Sequence, residues 1–119
     1  MSLDPVALVR RYHAALDPYD GEKVMAFFAE DAVYVSPGVN GRIAGRGAII
    51  AAFSAYFAEH TDQHAEDEEI VRLGPFEARA TWRLSATARS SGAPVARRGI
   101  ETVTFDAAGL IVKVRVEDR

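Results

Sequence analysis

The spacing of apolar residues changes near the middle of this 119-residue chain, and this change constrains the fold more than any other feature. In the first half, Val9, Tyr12 and Leu16 recur at intervals of three and four residues, the period of an amphipathic helix. In the second half, residues 79–88 alternate between apolar and polar side chains, the period of a half-buried strand. Helices followed by meandering strands predict an α+β domain in which helices cover one face of a curved antiparallel sheet.

Three helices are predicted in the first half of the chain. Asp4 can cap the first helix with Pro5 at its first position, and Asp17-Pro18 is expected to end it. Asp20 can cap the second helix, and the third follows a glycine-rich loop at residues 37–47. The apolar faces of the second and third helices comprise Val24, Phe27 and Phe28, and then Ile49, Phe53, Tyr56, Phe57 and His60.

Five strands are predicted from short apolar or alternating segments. They comprise residues 32–35, 64–73, 79–88, 98–105 and 110–118. Turn-forming residues at 90–92 and 106–109 separate the last three strands. The predicted element order is α-α-β-α-β-β-β-β, and a curved sheet closed by helices leaves a cavity at its open end.

Composition limits the function classes. The length suits one domain over residues 1–119, and the chain contains no cysteine for disulfides or thiolate metal sites. The net charge is −3 and charges of both signs are scattered, so no basic face for nucleic acid is expected. The absence of a long apolar run and of a secretory signal predicts a cytoplasmic protein that does not enter membranes. No cofactor or metal is predicted.

Several motifs together resemble a known family. They are Arg11-Tyr12, Asp17, Asp20, Phe27-Phe28-Ala29-Glu30-Asp31-Ala32, Pro37, Gly45-Arg46, Ile49 and Phe53, followed by Thr104-Phe105-Asp106 and Gly109-Leu110-Ile111. This pattern resembles the SnoaL-like branch of the nuclear transport factor 2-like superfamily, and within that branch it is similar to bacterial ketosteroid isomerases. The resemblance covers nearly the whole chain and implies a cystatin-like cone, in which a curved sheet wraps around the helices. This fold hosts many activities.

The resemblance also implies roles for particular positions. In the isomerases a tyrosine and a protonated acid form an oxyanion hole and an aspartate is the base. These roles fall on Tyr12, Glu101 and Ser36. A serine hydroxyl cannot abstract an α-proton without an activating partner, and the supporting tyrosines fall on Phe28 and Phe53. The implied protein is therefore not a standard ketosteroid isomerase.

Strand parity predicts which side chains face the cavity. If Glu101 points inward, so do Gly99, Val103 and Phe105, whereas Ile100 points outward. The other inward residues are expected to be Trp82, Leu84 and Ala86 on one strand and Val112, Val114, Val116 and Asp118 on the last. The predicted ligand-binding residues are Ser36, Phe28, Phe53, His60, Trp82, Leu84, Val103 and Val116, with Tyr12, Glu101 and Asp118 as catalytic candidates.

Each catalytic candidate has a functional and a structural interpretation. Glu101 among apolar neighbours should have a raised pKa that suits an acid or base, or else it forms an ion pair with Arg83 or Arg98. Tyr12 is either a hydrogen-bond donor to the ligand or a core tyrosine. Asp118 is either a second acid in the cavity or a solvated residue near the chain end.

The remaining candidates carry similar alternatives. Ser36 fits a turn at the strand end as well as a pocket, and Trp82 fits the core as well as a stacking surface. His60 could be a base at the cavity rim, while its spacing from His64 fits a metal site only on a continuous helix. His13 directly follows Tyr12 and is therefore predicted to lie at the surface.

Three functions remain open on the sequence alone. The first is an isomerase, cyclase or dehydratase acting on a small apolar carbonyl compound. The second is a non-catalytic domain that binds a small ligand, and the third is a dimerising module with a filled cone. The superfamily also includes limonene epoxide hydrolase-like enzymes, whose chemistry needs two acids joined through an arginine. That activity is not expected here, because no Arg-x-Asp lies inward on a strand. A homodimer through the outer sheet face, around Ile100, is predicted in each case.

Overall fold

Three helices cover one face of a six-stranded sheet in the computed structural model, which describes residues 3–16, 19–37 and 41–118. The helices are α1 (Pro5–Leu16), α2 (Gly21–Met25) and α3 (Arg46–Glu59). The strands are β1 (Phe28–Ser36), β2 (Gly41–Ala44), β3 (His60–Gly74), β4 (Glu77–Ala88), β5 (Pro94–Phe105) and β6 (Ile111–Asp118). The α+β class predicted from the sequence is therefore confirmed.

The two aspartate caps form as the sequence predicts. The Asp4 carboxylate accepts a hydrogen bond of 3.1 Å from the amide of Ala7. The Asp20 carboxylate accepts from the amides of Glu22 and Lys23, so it satisfies N–H groups that have no partner within helix α2. The predicted break at Asp17-Pro18 lies outside the described residues.

The sheet is mixed, whereas the sequence predicted a wholly antiparallel sheet. Its strand order is β2-β1-β6-β5-β4-β3, and the β1–β6 pair is parallel while the other neighbouring pairs are antiparallel. The prediction of a continuous loop over residues 37–47 is wrong at its centre. Residues 41–44 form strand β2, because they pair with β1 from Val33 to Ser36.

Strand β3 begins earlier than predicted. Helix α3 ends at Glu59, and His60 already has extended backbone and pairs with Ala88 of β4. The placement of His60 on the helical face is therefore wrong. The β3–β4 register shifts between Thr61 and His64, where Asp62 has a positive φ of 53°.

The inward-facing positions predicted for β5 are confirmed, and those predicted for β6 are confirmed in part. Gly99, Glu101, Val103 and Phe105 are buried and alternate with more exposed residues. On β6 the inward position predicted for Val112 is wrong. A register irregularity beside Phe105 turns Ile111 into the core instead.

Candidate functional site

An open cavity of about 140 Å³ lies between the helices and the concave face of the sheet. Its walls are mostly apolar, with polar groups at a few positions, as ligand sites commonly are. The lining residues are His13, Leu16, Tyr34, Ser36, Phe53, Tyr56, Phe57, Gln63, Ala65, Asp67, Trp82, Leu84, Arg97, Glu101 and Val116.

Glu101 is the most buried charged residue of the cavity, with 5 % of its surface exposed. Strand β5 positions it, because its neighbours Gly99 and Val103 face the same buried side. The Nε2 atom of His13 lies 2.5 Å from its Oε1 atom. The predicted pairing with Arg83 or Arg98 is wrong, because those arginines bind Glu66 and Glu68 on the outer side of the sheet.

His13 belongs to this buried cluster, so the prediction that it lies at the surface is wrong. Only 16 % of its side chain is exposed. Its Nδ1 atom lies 2.7 Å from Oδ1 of Asp67 on strand β3. Helix α1 packs against both β3 and β4, and a buried helical face of that width includes two successive residues, Tyr12 and His13.

The two carboxylates determine the charge of His13. Burial by itself lowers the pKa of the imidazole, but Glu101 and Asp67 outweigh burial and raise that pKa to about 10. At neutral pH His13 is therefore an imidazolium that donates one hydrogen bond to each carboxylate. The positive charge of His13 thus balances the negative charge of Glu101 inside the apolar cavity.

Ser36 and Tyr34 form a second polar pair in the cavity wall. Ser36 is 4 % exposed and shares a hydrogen bond with the Tyr34 side chain. Burial and the nearby Glu101 charge raise the pKa of Tyr34 far above its usual value. The phenol is therefore protonated at neutral pH, and the pair presents hydroxyl donors rather than a base.

Tyr12, Phe28 and Val103 are fully buried in the core behind the cavity wall. The rings of Tyr12 and Phe28 make an edge contact with centroids 5.5 Å apart. Burial, with a contribution from Glu101, raises the pKa of Tyr12 well above 10. Its hydroxyl is buried and has no hydrogen-bond partner within the described parts of the chain.

The cavity rim contains an arginine that sequence reasoning did not select. Arg97 donates to Asp118 at 2.7 Å and to the Tyr56 hydroxyl at 3.3 Å, and its guanidinium lies 5.7 Å from the Trp82 ring centroid. Asp118 is 49 % exposed and belongs to the rim rather than to the lining. His60 stacks on Tyr56 and donates to its backbone oxygen, also outside the lining.

The structure thus brings together part of the predicted site. Six of the predicted residues line the cavity: Ser36, Phe53, Trp82, Leu84, Glu101 and Val116. Sequence reasoning missed six polar lining residues: His13, Tyr34, Tyr56, Gln63, Asp67 and Arg97. For Asp67 a signal existed, because alternation along β3 places it on the same face as Ala65.

Among the residues that the structure describes, no group of three or more histidine, cysteine, aspartate and glutamate side chains could hold a metal ion. The helices described there are also too short or too polar to span a membrane.

The sequence and the fold both have known counterparts. A model of the SnoaL-like domain family matches residues 9–114. No curated protein matches the sequence.

Among solved structures, an NTF2-like protein from Burkholderia thailandensis has a TM-score of 0.85 at 21 % identity, covering 98 % of this chain and 92 % of that one. A Mycobacterium tuberculosis protein in complex with estradiol-17beta-hemisuccinate has a TM-score of 0.82 at 23 % identity, covering 96 % and 93 %. The Delta 5-3-ketosteroid isomerase from Mycobacterium sp. has a TM-score of 0.81 at 22 % identity, covering 97 % and 93 %. At these identities the likeness establishes the fold.

Proposed function

Since the chain belongs to the family of SnoaL-like domains, we propose that its cavity binds a small, largely apolar carbonyl compound and that Glu101 transfers a proton on it. The observation behind this proposal is the buried Glu101 carboxylate, which faces an apolar cavity and is held by His13. An isomerase, cyclase or dehydratase would each use a group placed in this way.

One of the two carboxylate oxygens of Glu101 is available to accept a proton. His13 binds Oε1, while Oε2 accepts no hydrogen bond within the described residues. Oε2 can therefore take a proton from the carbon next to a carbonyl group. The imidazolium compensates the charge of the carboxylate at the start of the step, and the second bond from His13 to Asp67 fixes the ring.

Proton removal places negative charge on the ligand oxygen, which needs hydrogen-bond donors. Tyr34 and Ser36 line the cavity, and because one hydroxyl of the pair donates to the other, the pair can donate one hydrogen bond to the ligand oxygen. Tyr12 has a buried hydroxyl without a partner within the described residues, but it lies behind the cavity wall and would reach the ligand oxygen only after a movement of that wall. Asp118 is bound to Arg97 at the rim, so we assign proton transfer to Glu101 rather than to Asp118.

The cavity volume points to a ligand of one or two rings. About 140 Å³ is close to the roughly 150 Å³ of an engineered cavity that binds benzene. It is well below the roughly 300–1,000 Å³ of sites for drug-sized molecules. A tetracyclic steroid would therefore require the wall to move.

A bicyclic ketone, 1-tetralone, tests both parts of the proposal. Binding is measured by calorimetry, and exchange of its α-protons in deuterated buffer is followed by NMR. We expect binding, and exchange faster than in buffer, with the acceleration lost in Glu101→Gln. The control is Glu117→Gln, which alters an exposed carboxylate on β6.

The possible outcomes separate the two candidate functions. Binding without accelerated exchange would contradict the catalytic part and support the alternative, a non-catalytic binding domain. No binding of 1-tetralone at millimolar concentration would contradict the proposed function as a whole. A homodimer through the outer sheet face around Ile100 is part of the proposal and is tested separately below.

A further inference from the structure

We infer that the outer end of the cavity is a second binding subsite, formed by Gln63 and Arg97, which takes a neutral hydroxyl group of the ligand. This inference rests on the proposed function and defines its ligand more closely: a small carbonyl compound that carries a hydroxyl group at the opposite end from the carbonyl.

The sheet register places Gln63 and Arg97 at the same end of the cavity. Ala65, Leu84 and Arg97 are register partners across β3, β4 and β5, and all of them line the cavity. Gln63 precedes Ala65 by two residues on β3. Glu101 lies four residues beyond Arg97 on β5, which separates their Cα atoms by about 13 Å. The polar groups therefore lie at two separate ends.

Gln63 presents an unsatisfied acceptor. Its Oε1 atom is buried and has no hydrogen-bond partner among the described residues. Gln63 precedes Ala65 by two residues, so alternation along β3 places both side chains on the cavity face, beside the register shift between Thr61 and His64. A buried amide oxygen without a partner is unfavourable, so a donor from a ligand would satisfy it.

Arg97 supplies donors at the same end. Its side chain is 22 % exposed and is held by Asp118, Tyr56 and the Trp82 ring. A guanidinium has five N–H donors, and the bonds to Tyr56 and Asp118 each use one N–H of a terminal nitrogen. Donors therefore remain for a ligand oxygen, and their positions are fixed before a ligand arrives.

The local charges favour a neutral hydroxyl over a carboxylate. Asp118 already compensates the charge of Arg97, while His13 lies between the two carboxylates of Glu101 and Asp67. The cavity and its rim thus have an excess of one negative charge, which disfavours an anionic ligand. A hydroxyl group can accept from Arg97 and donate to the Gln63 oxygen, so it satisfies both.

An apolar surface connects the two ends. A Cβ atom at Gly99 would lie 2.5 Å from Cζ2 of Trp82, so the absence of a side chain allows the indole to lie against β5. Gly99 stands between Glu101 and Arg97 on that strand. The rings of a ligand would therefore cross the Trp82 surface, with a polar group at each end.

Three matched bicyclic ketones test the subsite: 1-tetralone, 6-hydroxy-1-tetralone and 6-carboxy-1-tetralone. Dissociation constants are measured by calorimetry for the wild type, Gln63→Leu and Gln63→Glu, with circular dichroism to confirm folding. We expect the hydroxy compound to bind the wild type about ten-fold more tightly than 1-tetralone, as befits a hydrogen bond to a charged donor. The carboxy compound should bind more weakly than 1-tetralone.

The variants identify the residue responsible. Gln63→Leu removes the acceptor but leaves the Arg97 donors, so its preference for the hydroxy compound should fall to about three-fold or less. Gln63→Glu keeps the acceptor and should retain the full preference. Equal affinities in the wild type, an undiminished preference in Gln63→Leu, or tightest binding of the carboxy compound would each overturn the subsite while leaving the proposed function intact. Failure of all three ketones to bind would contradict the proposed function and the subsite with it.

Discussion

The charged state of His13 should make the stability of this protein depend on pH in a defined window. Its pKa rises from the ordinary 6.5 to about 10 in the folded chain, because Glu101 and Asp67 outweigh the effect of burial. A group whose pKa is raised by folding contributes stability that is complete below the unfolded value. That contribution is lost as the pH rises towards the folded value.

The structure gives the size of the effect. Between pH 6.5 and 10 the folded protein holds one more proton at His13 than the unfolded chain does. Each increase of one pH unit in this window lowers the free energy of unfolding by about 1.4 kcal/mol. The whole contribution is roughly 5 kcal/mol, a large fraction of the stability of an ordinary domain.

Urea unfolding at pH 6.5, 7.5, 8.5 and 9.5 measures this slope. The comparison is the double variant His13→Gln, Glu101→Gln, which removes both charges; His13→Gln alone would leave a buried carboxylate without its partner. The free energy of unfolding of the wild type should fall by about 1.4 kcal/mol per pH unit relative to the double variant. Parallel pH profiles for the two proteins would refute the charged pair.

Three further predictions concern packing, capping and assembly. Gly99→Ala places a methyl group against the Trp82 indole and should lower the free energy of unfolding by about 1–3 kcal/mol. The fluorescence emission of this single tryptophan should also shift, and unchanged fluorescence and stability would contradict the contact. Asp20→Ala removes the cap of α2 and should cost about 1 kcal/mol in urea unfolding, whereas Asp20→Ser should largely retain it. If the outer sheet face forms a homodimer, sedimentation equilibrium should show a dimer that Ile100→Lys converts to a monomer; a monomeric wild type would contradict the dimer.

The sequence predicted the elements whose signals are local. Alternation over residues 79–88 and 98–105 was sufficient for β4 and β5, because one face of each strand is buried and the other is not. Strand β2 was missed because it is four residues long and begins at a glycine with a positive φ. Its pairing with β1, like the parallel pairing of β1 with β6, is a contact between distant segments that no local pattern encodes.

The candidate site was predictable only in part, for the same reason. The inward direction of Glu101 followed from strand parity. Its partner His13 lies 88 residues away in the sequence, and Asp67 lies 54 residues from His13. Whether His13 faces the sheet depends on how helix α1 is rotated upon it, and the spacing of apolar residues does not determine that rotation. Gln63 was missed because the predicted strand began at residue 64, whereas β3 begins at His60 and Gln63 lies two residues before Ala65 on the cavity face.

A crystal structure of the protein grown with 6-bromo-1-tetralone tests most directly whether this cavity is the ligand site. Anomalous scattering from bromine locates the ligand independently of the shape of its density. We expect one bromine peak near Arg97 and Gln63, with the ring on Trp82 and the carbonyl group directed towards the Glu101 end. A bromine peak on the outer sheet face, or a cavity that stays empty at saturating ligand, would contradict the proposed site.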